Sequence, residues 1–334
     1  MSWKVFISAR TIPEVGKGAL ELLRKSGCEI ILPPKMGPLK ADELRLHING
    51  CDAALVSPDE FNPVVMASPE LAKLKIISRW GVGYDSIDVP SATQHGIVVA
   101  FTPGLLNETV ADYTFALLFS IARRVHEADA LMRKNEWKLL WGYDVFGKTL
   151  GIIGCGRIGQ AVARRAAGFN LRLLGYDVAP NPEAQKLGVH FVPLDELLAQ
   201  SDFVSLHCAL TPENKNLIGE AQLAKMKSTS YLINTARGAL IDDAALVRAL
   251  QAGKIAGAAL DAFTKEPLPA DSTLRGAPNL LLSPHQAPCA RETGERVSLT
   301  AAQAIVDLMN GRRPQMVVDP TVFASPVLRA RLTA

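Results

Sequence analysis

Three polar signals stand directly behind short apolar runs in the second half of this chain. Asn234-Thr235-Ala236-Arg237-Gly238 follows Tyr231-Leu232-Ile233. Asp261, with Glu266-Pro267 close behind, follows Gly257-Ala258-Ala259-Leu260. Ser283-Pro284-His285 follows Leu280-Leu281-Leu282. A histidine exchanges protons near neutral pH, and a carboxylate beside it favours the imidazolium. A guanidinium holds a carboxylate through paired hydrogen bonds and polarises an adjacent keto oxygen. Arg237, Glu266 and His285 together therefore suit the reduction of a 2-keto acid, where a proton must reach the alkoxide as it forms. In the reverse direction a neutral imidazole accepts the hydroxyl proton. Each residue alone also fits a plain structural role; their order on successive strand ends is what joins them.

Such a reaction needs a hydride carrier, and the chain holds a place for one. Gly154-Cys155-Gly156-Arg157-Ile158-Gly159 follows the apolar run from Thr149 to Ile153 and precedes a helix-like Gln160 to Ala166. In this G-x-G-x-x-G pattern, Gly154 permits the tight turn, Gly156 lets a pyrophosphate approach the backbone, and Gly159 packs helix on strand. The next apolar run, Leu171 to Tyr176, ends in Asp177, 23 positions after Gly154, where an acid grips the adenosine ribose. That carboxylate accepts from a 2′-OH but repels a 2′-phosphate, and no arginine follows in Val178 to Asn181, so NAD is expected over NADP.

The elements that must position these groups alternate along the chain. Short apolar runs at Val5 to Ser8, Glu29 to Leu32, Ala53 to Val56, Ile76 to Ser78 and Ile97 to Ala100 form a first set of strands. Six more lie at Thr149 to Ile153, Leu171 to Tyr176, Phe203 to Leu206, Ser230 to Ile233, Ala256 to Leu260 and Leu280 to Leu282. One long apolar helix is expected from about Thr109 to Arg133, buried between domains or at a subunit interface. Another, Arg291 to Asn310, stops at Gly311 and returns to the first domain. The predicted fold is α/β: a Rossmann NAD-binding domain, residues 102–290, inserted into a flavodoxin-like substrate domain, residues 1–101 and 291–334.

Composition excludes several classes of function. Lys plus Arg exceed Asp plus Glu by 36 to 33 with no dense basic run, which disfavours nucleic acid and membrane surfaces. The apolar stretch Tyr113 to Ala122 is ten residues, against the roughly 20 needed to span a bilayer. The chain opens straight into a strand-like segment, so the cytoplasm is the expected location. Cys28, Cys51, Cys155, Cys208 and Cys289 form no C-x-x-C pair, which suits reduced thiols and no structural metal. His207, behind the Phe203 to Leu206 run, flanks the cofactor or serves packing. In Arg79-Trp80-Gly81-Val82-Gly83-Tyr84-Asp85 the glycines around Val82 expose backbone N–H groups to an anion.

Taken with Ser78 to Asp88, His207-Cys208-Ala209-Leu210-Thr211-Pro212, and the segments at 154–159, 234–238, 261–267 and 283–285, the chain resembles the D-isomer-specific 2-hydroxyacid dehydrogenases. That group includes phosphoglycerate, glyoxylate/hydroxypyruvate and D-lactate dehydrogenases. The resemblance implies that Arg237, Glu266 and His285 are catalytic. It implies that Arg157, Ile158, Asp177, Cys208, Thr235, Ala236 and Asp261 line NAD, Asp261 near the nicotinamide carboxamide, and that Val82 and Gly83 hold the substrate carboxylate, with Arg79 at a basic substrate position. It also implies a homodimer. The chain departs from the pattern in two places: Gln286 to Ala290 replace small residues and a threonine after His285, and Ser57 stands where phosphoglycerate enzymes carry arginine. Alternative readings are a phosphite or formate-type dehydrogenase on the same scaffold, and a non-catalytic NAD(H)-sensing corepressor.

Overall fold

The apolar runs of the first hundred residues form five strands, β1 (Lys4–Ile7), β2 (Glu29–Ile31), β3 (Ala53–Val56), β4 (Ile76–Arg79) and β5 (Val98–Ala100). They pair in the order β2-β1-β3-β4-β5, every pair parallel. A parallel sheet is covered on both faces, which is why β3 reads as Ala-Ala-Leu-Val with all four residues buried. The computed structural model describes residues 2–333. They divide into two units, one running up to Leu106 and resuming at Cys289, the other Asn107–Pro288.

In the first unit the helix Arg291–Met309 packs along the helix Lys17–Lys25. Gly294 lets it approach the short helix Ile12–Val15 that precedes Lys17–Lys25, since a Cβ there would sit 2.7 Å from Val15 Cγ2. Its middle is tied to β4: Ser78 Oγ donates to the Ala301 carbonyl (2.8 Å) and Trp80 Nε1 donates to Ser298 Oγ (2.9 Å).

The second unit carries seven strands: β6 (Thr149–Ile153), β7 (Arg172–Tyr176), β8 (His190–Phe191), β9 (Phe203–Leu206), β10 (Tyr231–Asn234), β11 (Gly257–Leu260) and β12 (Leu280–Leu282). Their order is β12-β11-β10-β9-β6-β7-β8, all parallel. The expectation of six strands misses β8, a two-residue edge strand too short to show a period. The connection reverses between β6 and β9, and ligands of open α/β sheets bind at such a point.

The single long helix expected after Asn107 is two. Asn107–Ala122 ends where Arg124 turns left-handed (φ 54°), and Val125–Arg133 follows. The Ala122 carbonyl accepts from Tyr143 N–H (2.9 Å) instead of continuing the helical ladder. Gly142 passes so close that a Cβ would lie 2.2 Å from that oxygen, so the returning chain itself stops the helix. The first helix is buried within its own unit, where Phe115, Leu118 and Ile121 join Val162, Ala166 and Phe203 in one core. Burying each large apolar side chain contributes roughly 1.5–3 kcal/mol.

Strand register sets what happens at the edge of this sheet. Ile153 pairs with Tyr176 and Leu206, Leu206 with Asn234, Asn234 with Leu260, and Leu260 with Leu282. One transverse row therefore ends six strands together. The next residue on each is Asp177, Gly154, His207, Thr235, Asp261 or Ser283.

Candidate active site

Behind β11 and β12 the structure brings Glu266 and His285 into direct contact. Nδ1 of His285 lies 2.9 Å from Oε2 and 3.0 Å from Oε1 of Glu266. An ionised carboxylate only accepts, so Nδ1 carries the proton and Nε2 is left as the nitrogen that exchanges one. Glu266 is fixed in turn, because the Phe263 N–H donates to its Oε1 (3.0 Å). The two side chains are 28% and 25% exposed, enough for a small ligand to reach them while most of the surrounding water is excluded.

Arg237 follows β10 on the neighbouring strand. Asn234 shapes its turn by donating from Nδ2 to the Arg237 carbonyl (2.8 Å) and accepting at Oδ1 from the Ala236 N–H (2.9 Å). Gly238 then packs against the backbone of Phe263 and Thr264, where a Cβ would fall 1.9 Å from the Phe263 carbonyl carbon. This contact presses the arginine turn onto the segment that leads to Glu266. The sequence singles out the three candidate side chains but neither Asn234 nor Gly238 as their positioners; an asparagine at a strand end was the available signal.

The glycine turn fits a dinucleotide. Gly154 has φ +93°, and a Cβ on it would strike Cys208 N at 2.3 Å. A Cβ on Gly159 would meet the Gly154 carbonyl oxygen at 2.2 Å, as close helix-on-strand packing requires. At Gly156 a Cβ would meet nothing within 4 Å, so the backbone there faces open space at the start of the helix Arg157–Ala166. An open backbone at a helix N-terminus is what a pyrophosphate needs. Arg157 and Ile158 form the first turn of that helix, and Asp177 reaches back so that Oδ2 accepts from the Cys155 N–H (2.7 Å).

Other residues of the expected cofactor set lie on the same edge. Thr235 Oγ1 is 3.0 Å from Thr114 Oγ1, and Ala236 and Cys208 are partly buried. Burial pushes the thiols of Cys155 and Cys208 up, to about 12 and about 11, so neither is a nucleophile at neutral pH. His207 Nε2 is 2.8 Å from Ser205 Oγ, while its Nδ1 is buried without a hydrogen-bond partner. No group of His, Cys, Asp and Glu among the described residues is arranged to hold a metal ion, and none of their helices is long and apolar enough to cross a membrane.

Arg79, the last residue of β4, and Val82 and Gly83, in the loop behind it, belong to the first unit. Arg79 braces that loop, donating from Nε to the Gly83 carbonyl (2.8 Å) and from Nη1 to the Trp80 carbonyl. Gly81, with φ +119°, is held by its N–H donating to Thr102 Oγ1 (2.9 Å).

Residues 115–287 match the family model described as D-isomer specific 2-hydroxyacid dehydrogenase, NAD binding domain. The chain is 44% identical over 331 residues to a glyoxylate reductase of Korarchaeum cryptofilum, covering 96% of this chain and 97% of that one. Among solved structures it is similar to apo D-lactate dehydrogenase from Escherichia coli, with 31% identity and a TM-score of 0.83 over 95% of this chain and 99% of the other. A glyoxylate reductase from Paecilomyes thermophila gives 32% identity and a TM-score of 0.81, covering 95% and 98%.

Proposed function

The chain belongs to the D-isomer-specific 2-hydroxyacid dehydrogenases, and on that premise we propose that His285, paired with Glu266, is the acid–base group and Arg237 the substrate-binding group of a glyoxylate-type reductase. The family assignment makes the protein an NAD-dependent oxidoreductase that interconverts a 2-keto acid and a 2-hydroxy acid. The finer reading rests most on the 2.9 Å contact between His285 Nδ1 and Glu266, made at an aligned row of strand ends.

NAD(H), when bound, supplies or takes the hydride; the residues do the rest. Gly154, Gly156 and Gly159 shape the turn that receives the pyrophosphate, and Asp177 receives the ribose hydroxyl. Arg237 holds the substrate carboxylate and draws electron density from the keto oxygen. His285 Nε2 delivers a proton to that oxygen as it becomes a hydroxyl, and Glu266 stabilises the imidazolium before the transfer and fixes its orientation throughout. Within the first unit, the Val82 and Gly83 amides are proposed as groups able to bind a carboxylate.

Glyoxylate is the favoured substrate because relatives that match nearly end to end are glyoxylate reductases. A panel of glyoxylate, hydroxypyruvate, pyruvate and 3-phosphohydroxypyruvate with NADH tests this. Glyoxylate should give the highest kcat/KM, and absence of NADH oxidation with every member would refute the reading.

The proposed assembly is a homodimer. The segment after Arg124 exposes Trp137 (86%), Leu139 (79%) and Trp141 (87%), more apolar surface than a monomer ordinarily leaves to water. Sedimentation equilibrium should give twice the chain mass, and replacing Trp137 and Trp141 with serine should shift it toward the monomer.

A further inference from the structure

Residue Asp261 is 1% exposed, and both of its carboxylate oxygens are occupied. Oδ1 accepts from Ser283 Oγ (2.6 Å) and from the Gln286 N–H (2.7 Å), and Oδ2 accepts from the Ala287 N–H (2.8 Å). Its main-chain carbonyl accepts from the His285 N–H (2.8 Å). One residue at the end of β11 thus holds the loop behind β12 on both sides of His285.

The histidine needs that hold. Its backbone is left-handed, with φ 55°, a conformation that a residue with a side chain keeps only when its surroundings enforce it. The same turn aims the ring at Glu266. Three of the four loop bonds to Asp261 are made by main-chain N–H groups, so they do not depend on the side chains of Gln286 and Ala287, where the chain departs from the family pattern.

We propose that Asp261 is the positioning residue of the acid–base histidine: its buried carboxylate clamps Ser283, Gln286 and Ala287 and so locks His285 in the left-handed turn that presents its ring. The assignment rests on the reading of His285 as the proton-exchanging group. It is a role beyond contact with the nicotinamide carboxamide, since three of about four lone-pair directions on its carboxylate point into the loop.

A double-mutant cycle separates the possibilities. Asp261→Asn puts an amide N–H where an acceptor is needed, Ser283→Ala removes one bond without changing charge, and His285→Gln removes the proton carrier. For each variant kcat is measured at saturating glyoxylate and NADH, the NADH dissociation constant by fluorescence, and folding by thermal melting. Asp261→Asn should lower kcat about 100-fold, the scale of an ångström-level misplacement, and leave NADH affinity within about threefold. Ser283→Ala should lower kcat several-fold in the same direction, which keeps the test open should Asp261→Asn unfold. In the His285→Gln background, Asp261→Asn should cost no more than about a further twofold, because the two losses share one origin.

Weaker NADH binding with unchanged kcat in Asp261→Asn would make it a cofactor ligand and overturn the proposal. So would losses that multiply in the double variant, or unchanged kcat in a folded Ser283→Ala. If His285→Gln alone retains turnover, the acid–base reading fails and this proposal falls with it. If His285→Gln is inactive while Asp261→Asn is normal, only this proposal fails.

Discussion

The Asp177 carboxylate accepts a 2.7 Å hydrogen bond from the Cys155 N–H and so joins the end of β7 to the glycine turn behind β6. The acid expected to select the cofactor is thereby held beside the turn expected to receive its pyrophosphate. Asp177→Asn keeps an acceptor for Cys155 but removes the charge that repels a 2′-phosphate. The ratio of kcat/KM for NADH over NADPH should fall at least about tenfold, a change of 1.4 kcal/mol. An unchanged ratio would place cofactor selection elsewhere.

Two glycines of the same turn make a contrasting pair. A Cβ on Gly156 has open space, so Gly156→Ala should melt at the wild-type temperature yet bind NADH about tenfold more weakly, because the methyl lies where the pyrophosphate must approach. A Cβ on Gly159 meets the Gly154 carbonyl oxygen at 2.2 Å, so Gly159→Ala should lose about 1–3 kcal/mol of stability through overpacking. Calorimetry and NADH fluorescence check both; equal melting temperatures for the two variants would contradict the packing argument.

His207 gives a pH dependence of stability. Burial pulls its imidazole down to about 3, below the unfolded value of 6.5. Below pH 6.5 the unfolded chain binds this proton and the folded one does not, so stability is intact above that pH and declines as the pH falls toward 3. Between about pH 7 and about pH 5 the loss from this residue alone approaches about 2 kcal/mol. His207→Gln should flatten that part of the curve, as measured by denaturant unfolding across pH. A slope identical to wild type would show that the folded protein protonates this ring.

Much of the site was legible in the sequence because its chemistry sits one residue beyond apolar runs, and parallel strands end where those runs end. Asp177, Gly154 and the Asp261 to His285 signals could all be placed in this way. What stayed hidden depends on contacts between segments distant in the chain. The helix break at Arg124 is imposed by Gly142 and Tyr143, which leave no mark on the local period. The clasp of Asp261 on residues 283–287 spans more than twenty positions and uses backbone donors that carry no residue type. β8 is two residues long and earns its place only by pairing with β7.

The mechanism requires Glu266, 2.9 Å from Nδ1, to hold His285 as the donor of a proton to the keto oxygen. Turnover of glyoxylate by Glu266→Gln, measured beside wild type together with NADH binding, is the most direct test. Its kcat should fall about 100-fold, within the range of a positioned proton transfer, with unchanged NADH binding, whereas a wild-type kcat would contradict the pairing and the mechanism built on it.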